Sequence, residues 1–521
     1  MLKLGRIVFI STMVLAVAVC PQRQILGADK SIAESLDSFT KLGIDEWSVT
    51  GIAVAVVKDG RVVFMRGYGV RDNRTGKPVD QDTVFQIGSC TKPLTATLIA
   101  RLVSDETVQW DSRVKELWPD FDTCDPAVTK QATLRDLLCH RTGIGKNESA
   151  LYYEMPITRD ELLSRLPDIQ QAAKFRSKWR YSGVMYTVAG RAAESATRSP
   201  WEELMQRRLF QPLGMTRTIA TNSGLSNMDN VAIPHVRTAD GVRAGKFADQ
   251  NAIAPAGAVC SSVNDLSKWL LMLTGDGQTK DRRELIQSEA IRELTKPQIS
   301  MPFSDPVLGE YAVKNYGLGF MVYDYHGRSL ALHTGMSGHS MGIVGFVPKD
   351  RVGVAVLTNY RPSLLHYAVF RHAIDLYCGE EPVDLNSANR KLFDEHLARQ
   401  AESLMRRAAT RDVKAHPTLP IQDYAGAYER ESGLRATLSM EAKRLILRYG
   451  NFVADVETWN GDTFLARLRE PRLPAEQNWY LTFTVEKSRV KQLHIQSEHD
   501  VHADFSPVQT DNSTSSRPSV P

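Results

Sequence analysis

Cysteine is scarce in this chain, with six residues among 521, and no two of them form a Cys-x-x-Cys pair. This scarcity excludes a disulfide framework and gives no support to a zinc site. A single disulfide and buried free thiols are the alternatives that remain, and free thiols are expected. The chain also lacks a large excess of charge of either sign, since its formal net charge is only +4. No nucleic-acid role is therefore expected.

Motifs of several other enzyme classes are missing. The chain has no His-Glu-x-x-His zinc motif and no Gly-x-x-x-x-Gly-Lys-Ser/Thr phosphate loop. We also expect no nucleophile elbow of the α/β-hydrolase kind. The residues therefore indicate neither a metal nor an organic cofactor.

Long apolar runs are confined to the amino-terminal end. Lys3 and Arg6 precede an apolar run over Ile7–Val19 and then small residues, which is the layout of a secretory signal peptide. We interpret residues 1–28 as this peptide, which predicts an exported protein, periplasmic or extracellular. Lipidation of Cys20 is disfavoured, because valine is a poor residue before a lipidated cysteine. No later run approaches the roughly 18 apolar residues of a membrane span.

The order of β and helical patterns predicts an α+β domain over residues 29–385. A hairpin is predicted first, a long stretch with helical periodicity follows, and β character then returns. Strands at both ends of the domain predict one antiparallel sheet that is closed by distant parts of the chain. The predicted strands are Gly51–Val57, Arg61–Gly67, Ser329–His333, Met341–Val347 and Val352–Thr358, and the predicted helices include Leu94–Val103, Thr133–Leu138, Tyr186–Thr197 and Trp201–Leu213.

The pattern changes after residue 385. A polar helical segment predicts a linker over residues 386–414, and the two prolines of His416-Pro417-Thr418-Leu419-Pro420 mark a boundary. Residues 415–508 alternate apolar and polar side chains in short runs, with Asn460-Gly461 as a hairpin turn, which predicts a small antiparallel β-barrel or sandwich. The Ser-, Thr- and Pro-rich tail at 509–521 is predicted to be disordered.

Four Ser-x-x-Lys matches place a hydroxyl and an amine at the spacing of one helical turn, and they begin at Ser38, Ser89, Ser112 and Ser488. Only Ser89 follows a β-like run and a glycine and precedes an apolar helix. Its hydroxyl would lie at a helix N-terminus, where N–H groups and the helix dipole favour developing negative charge. A serine with a built-in amine base is typical of an acylating serine hydrolase. The other three matches lie in polar segments and are interpreted as coincidence.

Seven short segments are informative as an ordered set. They are Gly88-Ser89-Cys90-Thr91-Lys92, Leu137-Leu138-Cys139-His140-Arg141-Thr142-Gly143, Tyr181-Ser182-Gly183, Tyr316-Gly317-Leu318-Gly319, His333-Thr334-Gly335, Gly345-Phe346-Val347-Pro348 and Leu357-Thr358-Asn359. In this order the chain resembles the serine β-lactamases of class C, the related penicillin-binding proteins and D-amino-acid peptidases, and the esterases of the same fold. The resemblance spans roughly residues 35–380. It implies an antiparallel sheet flanked by helices plus a helical subdomain, with Ser89 at their junction.

The resemblance implies a role for each residue of the site. Ser89 would attack a carbonyl carbon to form an acyl-enzyme, Lys92 would help to remove its proton, and Tyr181 would relay a proton to the leaving group. Because the free pKa of lysine is about 10.4, a base that works near pH 7 needs a pKa about three units lower. The N–H groups of Ser89 and Met336 would form the oxyanion hole. The implied substrate-binding residues are Gly183, His333, Thr334 and Gly335.

Two residues depart from the family pattern. Gly183 stands where β-lactamases and transpeptidases usually carry asparagine, which counts against amide and β-lactam substrates. His333 replaces a lysine, and histidine, with a pKa of about 6.5, carries no permanent charge for a substrate carboxylate. Esterases and peptidases of this fold tolerate the second change better than potent β-lactamases do. The alternatives to a hydrolase are a penicillin-binding sensor with little turnover and an inactive scaffold.

Further expectations concern the surroundings of the site. Cys90 and Cys139 are interpreted as buried packing residues, and His140 as a hydrogen-bonding partner of a nearby loop. The substrate is expected to be a small molecule or a peptide, with cell-wall peptides among the candidates. The carboxy-terminal unit resembles the lipocalin-like β-domains appended to some of these peptidases, where it would restrict access to the cleft or mediate assembly into a homo-oligomer.

Overall fold

The computed structural model describes most of the chain. The described residues are 21–145, 148, 157–238, 241–301, 313–409, 411–412, 414–430, 434–450, 452–469, 478–497 and 502–508. Most of the predicted signal peptide, with Cys20, and the predicted tail at 509–521 lie outside them.

Helices fill much of the sequence between the two groups of sheet strands. The segment predicted as helical over Trp201–Leu213 is divided by a π-helical stretch at Met205–Phe210. None of the described helices has the length and apolar character needed to cross a membrane. The α-helices are α1 Pro21–Trp47, α2 Thr91–Ser104, α3 Val114–Leu117, α4 Pro126–Gln131, α5 Leu134–Leu138, α6 Arg159–Ser164, α7 Gly183–Thr197, α8 Trp201–Leu204, α9 Gln211–Leu213, α10 Ala254–Gly257, α11 Val263–Thr274, α12 Ser288–Thr295, α13 Leu365–Cys378 and α14 Leu385–Ala409.

The strands of the described residues fall into a large sheet, two small sheets and a barrel. They are β1 Gly51–Lys58, β2 Arg61–Asp72, β3 Lys77–Pro78, β4 Phe85–Gln86, β5 His235–Thr238, β6 Gly241–Ala244, β7 Cys260–Ser261, β8 Ile299–Ser300, β9 Val313–Tyr316, β10 Met321–Tyr325, β11 Arg328–Ser337, β12 Ser340–Val347, β13 Val352–Thr358, β14 Tyr360–Arg361, β15 Gly426–Glu429, β16 Arg435–Glu441, β17 Arg444–Tyr449, β18 Phe452–Asn460, β19 Thr463–Leu468, β20 Asn478–Glu486, β21 Arg489–Ser497 and β22 His502–Pro507.

The large sheet brings the two ends of the first domain together. Its order among the described strands is β3-β2-β1-β13-β12-β11-β10-β9-β8, and each neighbouring pair is antiparallel. The contact between the two ends is the pairing of β1 with β13, with Ala55 opposite Ala355. The predicted α+β sheet that distant parts of the chain close is therefore confirmed.

Helices cover both faces of this sheet. Gly345 on β12 faces Phe370 of α13, and Gly353 on β13 faces Leu270 of α11. Because Gly345 pairs with Val354 rather than with Gly353, the two glycines point to opposite faces. The central strands are consequently buried on both sides, which explains the unbroken apolar runs of β1 and β13.

A helical subdomain packs beside the sheet, with α7 at its centre, in contact with α3, α5, α6, α8 and α10. Its helix starts follow ordinary capping chemistry. Thr133 and Asp136 form a capping box at α5, and the Ser182 hydroxyl accepts the Met185 N–H at α7. Helix α2 also contacts α7, while the turn before α2 contacts β11, so α2 lies between subdomain and sheet.

The carboxy-terminal unit is a closed barrel of eight antiparallel strands in the described residues, β15 to β22. The predicted turn at Asn460-Gly461 joins β18 to β19, and Gly461 takes the positive φ of +54° that this turn requires. Helix α14 leads to the barrel. Arg407 in its last turn stacks on Tyr480 of the barrel, and Arg411, just beyond the helix, stacks on Trp459. The predicted barrel is confirmed, whereas the domain boundaries stay predictions.

Candidate active site

Ser89 lies at the junction of the sheet and the helical subdomain. It stands in a 3-10 turn, Gly88–Cys90, that follows β4 and continues directly into α2. Gly88 has a φ of +53°, and a Cβ there would lie 2.4 Å from the Met336 carbonyl oxygen. The close approach of this turn to β11 therefore requires glycine at position 88. The turn places Ser89 at the edge of the sheet.

Lys92 lies one turn along α2 from the serine. Its Nζ lies 3.1 Å from Ser89 Oγ and donates a 2.9 Å hydrogen bond to the carbonyl oxygen of Ala256. The residue is only 2% exposed. Burial lowers the pKa of Lys92 to about 7, although the charges of Glu148 and Cys90 act in the opposite direction. The amine therefore has a pKa that suits a base near neutral pH.

Tyr181 approaches the serine from the subdomain. Its hydroxyl donates a 2.8 Å hydrogen bond to Ser89 Oγ, and its ring centroid lies 4.6 Å from Lys92 Nζ. At 39% exposure it is open to solvent on one side. The structure thus brings together Ser89, Lys92 and Tyr181, the three residues that the sequence singles out for catalysis.

The end of β11 forms the other side of the site. An ideal Cβ on Gly88 would lie 2.5 Å from the Met336 backbone nitrogen, so this N–H group lies next to the serine turn. A Cβ on Gly335 would lie only 1.9 Å from the Ile87 carbonyl oxygen, which shows how tightly the strand passes this turn. The Met336 side chain is 43% exposed beside it. The predicted oxyanion-hole residues, Ser89 and Met336, are therefore neighbours.

His333 is buried rather than presented to the cleft. It is 2% exposed, its Nε2 lies 3.1 Å from the Tyr316 hydroxyl, and its Nδ1 lies 2.6 Å from the Thr334 carbonyl oxygen. Burial and the charge of Lys92 lower the pKa of His333 to about 3. The imidazole is therefore neutral at physiological pH. The structure places His333 behind the site, where it supports β11 and offers no positive charge to a substrate.

Gly183 is also buried and begins α7. Its N–H donates to Glu148, a residue for which the sequence gave no motif. The same carboxylate accepts the Ser182 hydroxyl at 2.6 Å and the Val184 N–H at 3.3 Å. Burial raises the pKa of Glu148 to about 7 against the effect of these donors and of Lys92. The structure thus gives the Gly183 N–H a partner within the protein instead of a substrate.

The interpretations of the neighbouring residues hold. His140 Nδ1 accepts the Ser182 N–H at 3.1 Å, which confirms that this histidine bonds a loop beside the site. Its ring lies 4.5 Å from that of Tyr181. Cys90 and Cys139 are fully buried free thiols, and burial raises the pKa of each, that of Cys139 to about 12. Neither thiol is therefore an accessible nucleophile.

One sequence pattern has the form of a nucleophile elbow. The chain does contain a Gly-x-Ser-x-Gly pattern, Gly338-His339-Ser340-Met341-Gly342. It forms the turn from β11 to β12, with Ser340 opposite Ser337 and 0% exposed. A nucleophile elbow needs an exposed serine on a strand-to-helix turn, so the pattern has no such function here.

The other three Ser-x-x-Lys matches do not form a comparable site. Lys41, which pairs with Ser38 in sequence, bonds Asp37 at 2.8 Å on α1. Lys115 bonds the Phe121 carbonyl oxygen at 2.8 Å. Ser488 lies in the turn between β20 and β21, with a φ of +58°.

Comparison with known proteins identifies the family of the chain. The profile of the Beta-lactamase family matches residues 36–376, and that of a domain of unknown function, DUF3471, matches residues 410–512. An unguisins hydrolase, ungD of Aspergillus violaceofuscus, is 28% identical over 414 residues, which cover 73% of this chain and 72% of the relative. Penicillin-binding protein 4 of Amycolatopsis lactamdurans is 26% identical over 396 residues, which cover 74% of this chain and 95% of the relative.

A solved structure shares the fold over nearly the whole length. The octameric penicillin-binding protein homologue from Pyrococcus abyssi superposes with a TM-score of 0.60 at 22% identity, covering 91% of this chain and 99% of that one. Because the family profile covers well over half of the sequence, the chain belongs to the Beta-lactamase family of serine hydrolases.

Proposed function

We propose that the protein is an exported serine hydrolase that works through an acyl-enzyme on Ser89, with Lys92 and Tyr181 as its proton-transfer groups. One observation carries the proposal: Ser89 Oγ lies 3.1 Å from Lys92 Nζ and 2.8 Å from the Tyr181 hydroxyl. A serine with two proton-transfer groups at hydrogen-bond distance is the arrangement that an activated nucleophile needs. The predicted signal peptide supports export.

Acylation begins on the neutral form of Lys92. Ser89 Oγ forms a bond to the substrate carbonyl carbon while its proton passes to Lys92 Nζ. The bond from that carbon to the leaving group then breaks, and the leaving group takes up the proton of Lys92 through Tyr181. Water next attacks the acyl carbon and gives a proton to Lys92, the bond to Oγ breaks, and Ser89 Oγ takes up that proton. Proton transfers of this kind contribute about 10²- to 10⁴-fold to rate.

The backbone N–H groups of Ser89 and Met336 are the proposed donors to the negative oxygen of the tetrahedral intermediate. The close packing of β11 on the serine turn supports this role, because it fixes both backbone segments before substrate arrives. Loss of one such donor costs about 10²- to 10³-fold in rate.

Uncharged esters are the proposed substrate class, with peptides and amides of D-amino acids as the next candidates. The neutral, buried His333 supports the choice, since it supplies no cation for the carboxylate that a β-lactam or a carboxy-terminal peptide carries. In sequence the chain is similar both to an unguisins hydrolase and to a penicillin-binding protein, so the choice of substrate class rests on the site rather than on the similarity.

A second candidate function is a penicillin-binding sensor that is acylated but turns over slowly. The arrangement at Gly183 favours it, because the N–H of this residue bonds Glu148 and no side chain there reaches towards a substrate amide. Multiple product molecules released per Ser89 would exclude it. An inactive scaffold would instead form no adduct with any serine-directed probe.

The experiment uses three substrates with the mature protein and its Ser89→Ala variant. These are a short-chain nitrophenyl ester, a fluorescent penicillin and a D-alanyl peptide, with intact mass and product release followed together. Release of nitrophenol that the variant lacks supports an esterase. A lasting penicillin adduct without release supports the sensor. Activity that survives in the variant would contradict the proposal.

The barrel is proposed to restrict access to the cleft or to mediate assembly. The octameric state named for the Pyrococcus abyssi homologue, which superposes across both units, motivates the second role. Removal of residues 415–521, followed by measurement of molecular mass and ester hydrolysis, distinguishes the two. Loss of assembly at constant activity supports a role in assembly, whereas a rise in activity at constant mass supports restricted access.

A further inference from the structure

Glu148 is a buried carboxyl group in direct contact with the start of α7. It is 5% exposed, and its oxygens accept hydrogen bonds from the Ser182 hydroxyl and from the N–H groups of Gly183 and Val184. Removal of a carboxylate from water is costly unless hydrogen bonds and favourable charge replace the lost hydration. The three donors and the positive end of the helix dipole provide that replacement.

These donors immediately follow Tyr181 in sequence. The carboxylate therefore fixes the backbone on the carboxyl side of the tyrosine. The hydrogen bond from the Ser182 N–H to His140 Nδ1 fixes Ser182 from another direction. The Glu148 carboxylate also packs closely against Gly145, where an added Cβ would lie 2.9 Å from Glu148 Oε2. The geometry links the Glu148 carboxylate to the direction in which Tyr181 approaches Ser89.

Glu148 also acts on Lys92 by charge. Of the two groups whose charge favours protonated Lys92, Cys90 is held neutral by burial, which leaves Glu148 as the group that ionises near pH 7. Three buried ionisable neighbours among the described residues carry no charge at that pH. They are His140 and His333, whose pKa values burial lowers, and Tyr186, whose pKa burial raises. The Tyr181 ring also lies beside the amine.

We propose that Glu148 is a positioning residue of the active site, which holds Tyr181 through the start of α7 and supplies the negative charge that balances Lys92. The inference rests on the proposed function, since it needs Ser89 to be the nucleophile. It assigns no contact with substrate to Glu148. Its effect reaches the reaction through Tyr181 and Lys92.

The test compares Glu148→Gln and Glu148→Asp with the unmodified protein. The rate constant for acylation by a nitrophenyl ester is measured from pH 5 to 9, with thermal unfolding as the check of folding. Glutamine keeps the shape but removes the charge, so protonated Lys92 loses its counter-charge. We expect the acid limb of the profile to move to lower pH by about one unit, because removal of a nearby opposite charge lowers a lysine pKa. We expect the plateau rate to fall about tenfold or more, because Tyr181 loses part of its support.

Glu148→Asp separates the two effects. The charge remains while the carboxylate withdraws from α7, so we expect a lower plateau with the acid limb close to its original pH. Should Glu148→Gln fail to fold, this variant carries the test alone, and an unchanged plateau would overturn the proposal. A Glu148→Gln protein that folds and keeps the original profile and rate would also overturn it, as would identical profiles for the two variants.

A separate control distinguishes failure of this inference from failure of the proposed function. Ser89→Ala is measured in the same assay and labelled with a fluorophosphonate. If Ser89→Ala is inactive and unlabelled while Glu148→Gln behaves as the original protein does, only the inference about Glu148 is overturned. If Ser89→Ala remains active, the proposed function itself is wrong, and with it the role of Glu148.

Discussion

The Tyr181 hydroxyl donates a 2.8 Å hydrogen bond to Ser89 Oγ, although 92 positions separate the two residues in the chain. The tyrosine comes from the loop that opens α7 in the helical subdomain, and the serine from the turn that opens α2. The site therefore exists only while subdomain and sheet are packed together.

Tyr181→Phe removes the hydroxyl and keeps the ring beside Lys92. We expect kcat/KM for a nitrophenyl ester to fall by about 10²- to 10⁴-fold, the usual contribution of a proton-transfer group. Tyr480→Phe, on the barrel, is the matched control and should leave kcat/KM unchanged. Equal kcat/KM values for Tyr181→Phe and the original protein would remove the tyrosine from the mechanism.

The lowered pKa of Lys92 predicts that the rate of acylation depends on pH. Because its pKa is lowered to about 7, the amine is protonated below that pH and cannot accept the serine proton. Acylation should rise with pH through about 7 and level off above it, with no separate step from His333, whose pKa is about 3. Stopped-flow measurement of nitrophenol release from pH 5 to 9 checks the profile, and a flat profile is the contrary result.

The role of the Lys92 amine can be tested with two lysine-to-methionine variants, since methionine is close to lysine in shape but has no amine. Lys92→Met removes the base from the site, whereas Lys41→Met removes the lysine of another Ser-x-x-Lys match, which bonds Asp37 on α1. We expect the first to slow acylation by about 10²- to 10⁴-fold and the second to have no effect. Comparable losses in both variants would show that the effect is not specific to the site.

Gly335→Ala tests the packing of β11 on the serine turn. A Cβ at this position would lie 1.9 Å from the Ile87 carbonyl oxygen, so the strand must shift and carry the Met336 N–H away. We expect a loss of about 1–3 kcal/mol in the free energy of unfolding and at least about a hundredfold loss in kcat. Gly224→Ala is the control, since nothing lies within 4 Å of its added Cβ and its φ is −96°. Denaturant unfolding and ester hydrolysis measure the two effects, and an unchanged kcat in Gly335→Ala would contradict the proposed oxyanion hole.

The neutral His333 predicts a preference for uncharged acyl groups. Nitrophenyl butyrate and mono-nitrophenyl succinate have acyl chains of four carbons each, and only the second carries a carboxylate. Because His333 gives that carboxylate no partner, we expect kcat/KM to be about tenfold or more higher for the butyrate. A preference for the succinate would show that another cation binds the carboxylate, and the proposed substrate class would then be wrong.

The sequence predicts much of the fold because the relevant signals are local. The hairpin of β1 and β2, the strands β12 and β13 and the turn at Gly461 each combine an apolar run or apolar alternation with a turn residue. Strands β5 and β14 carry no comparable signal, because each is short and the pairing of β14 with β5 joins distant parts of the chain. Short strands of this kind depend on tertiary contacts rather than on local pattern.

The residues of the site likewise differ in whether the sequence predicts them. Ser89 and Lys92 can be predicted because they lie one turn apart beside a glycine and an apolar helix, and ordered segments add Tyr181. Glu148 cannot, since its partners at Ser182 and Gly183 lie more than thirty positions away and a single glutamate has no motif. The burial that neutralises His333 is likewise a property of packing, which the residue type alone does not give.

Covalent labelling of Ser89 tests the central claim most directly. The mature protein is mixed with a nitrophenyl ester, quenched during turnover, and analysed by intact mass and peptide mapping, with Ser89→Ala and Ser112→Ala in parallel. We predict an acyl group on the peptide that contains Ser89 in the original protein and in Ser112→Ala, and none in Ser89→Ala. An adduct that persists in a folded Ser89→Ala protein, or that maps to another residue, would contradict the account.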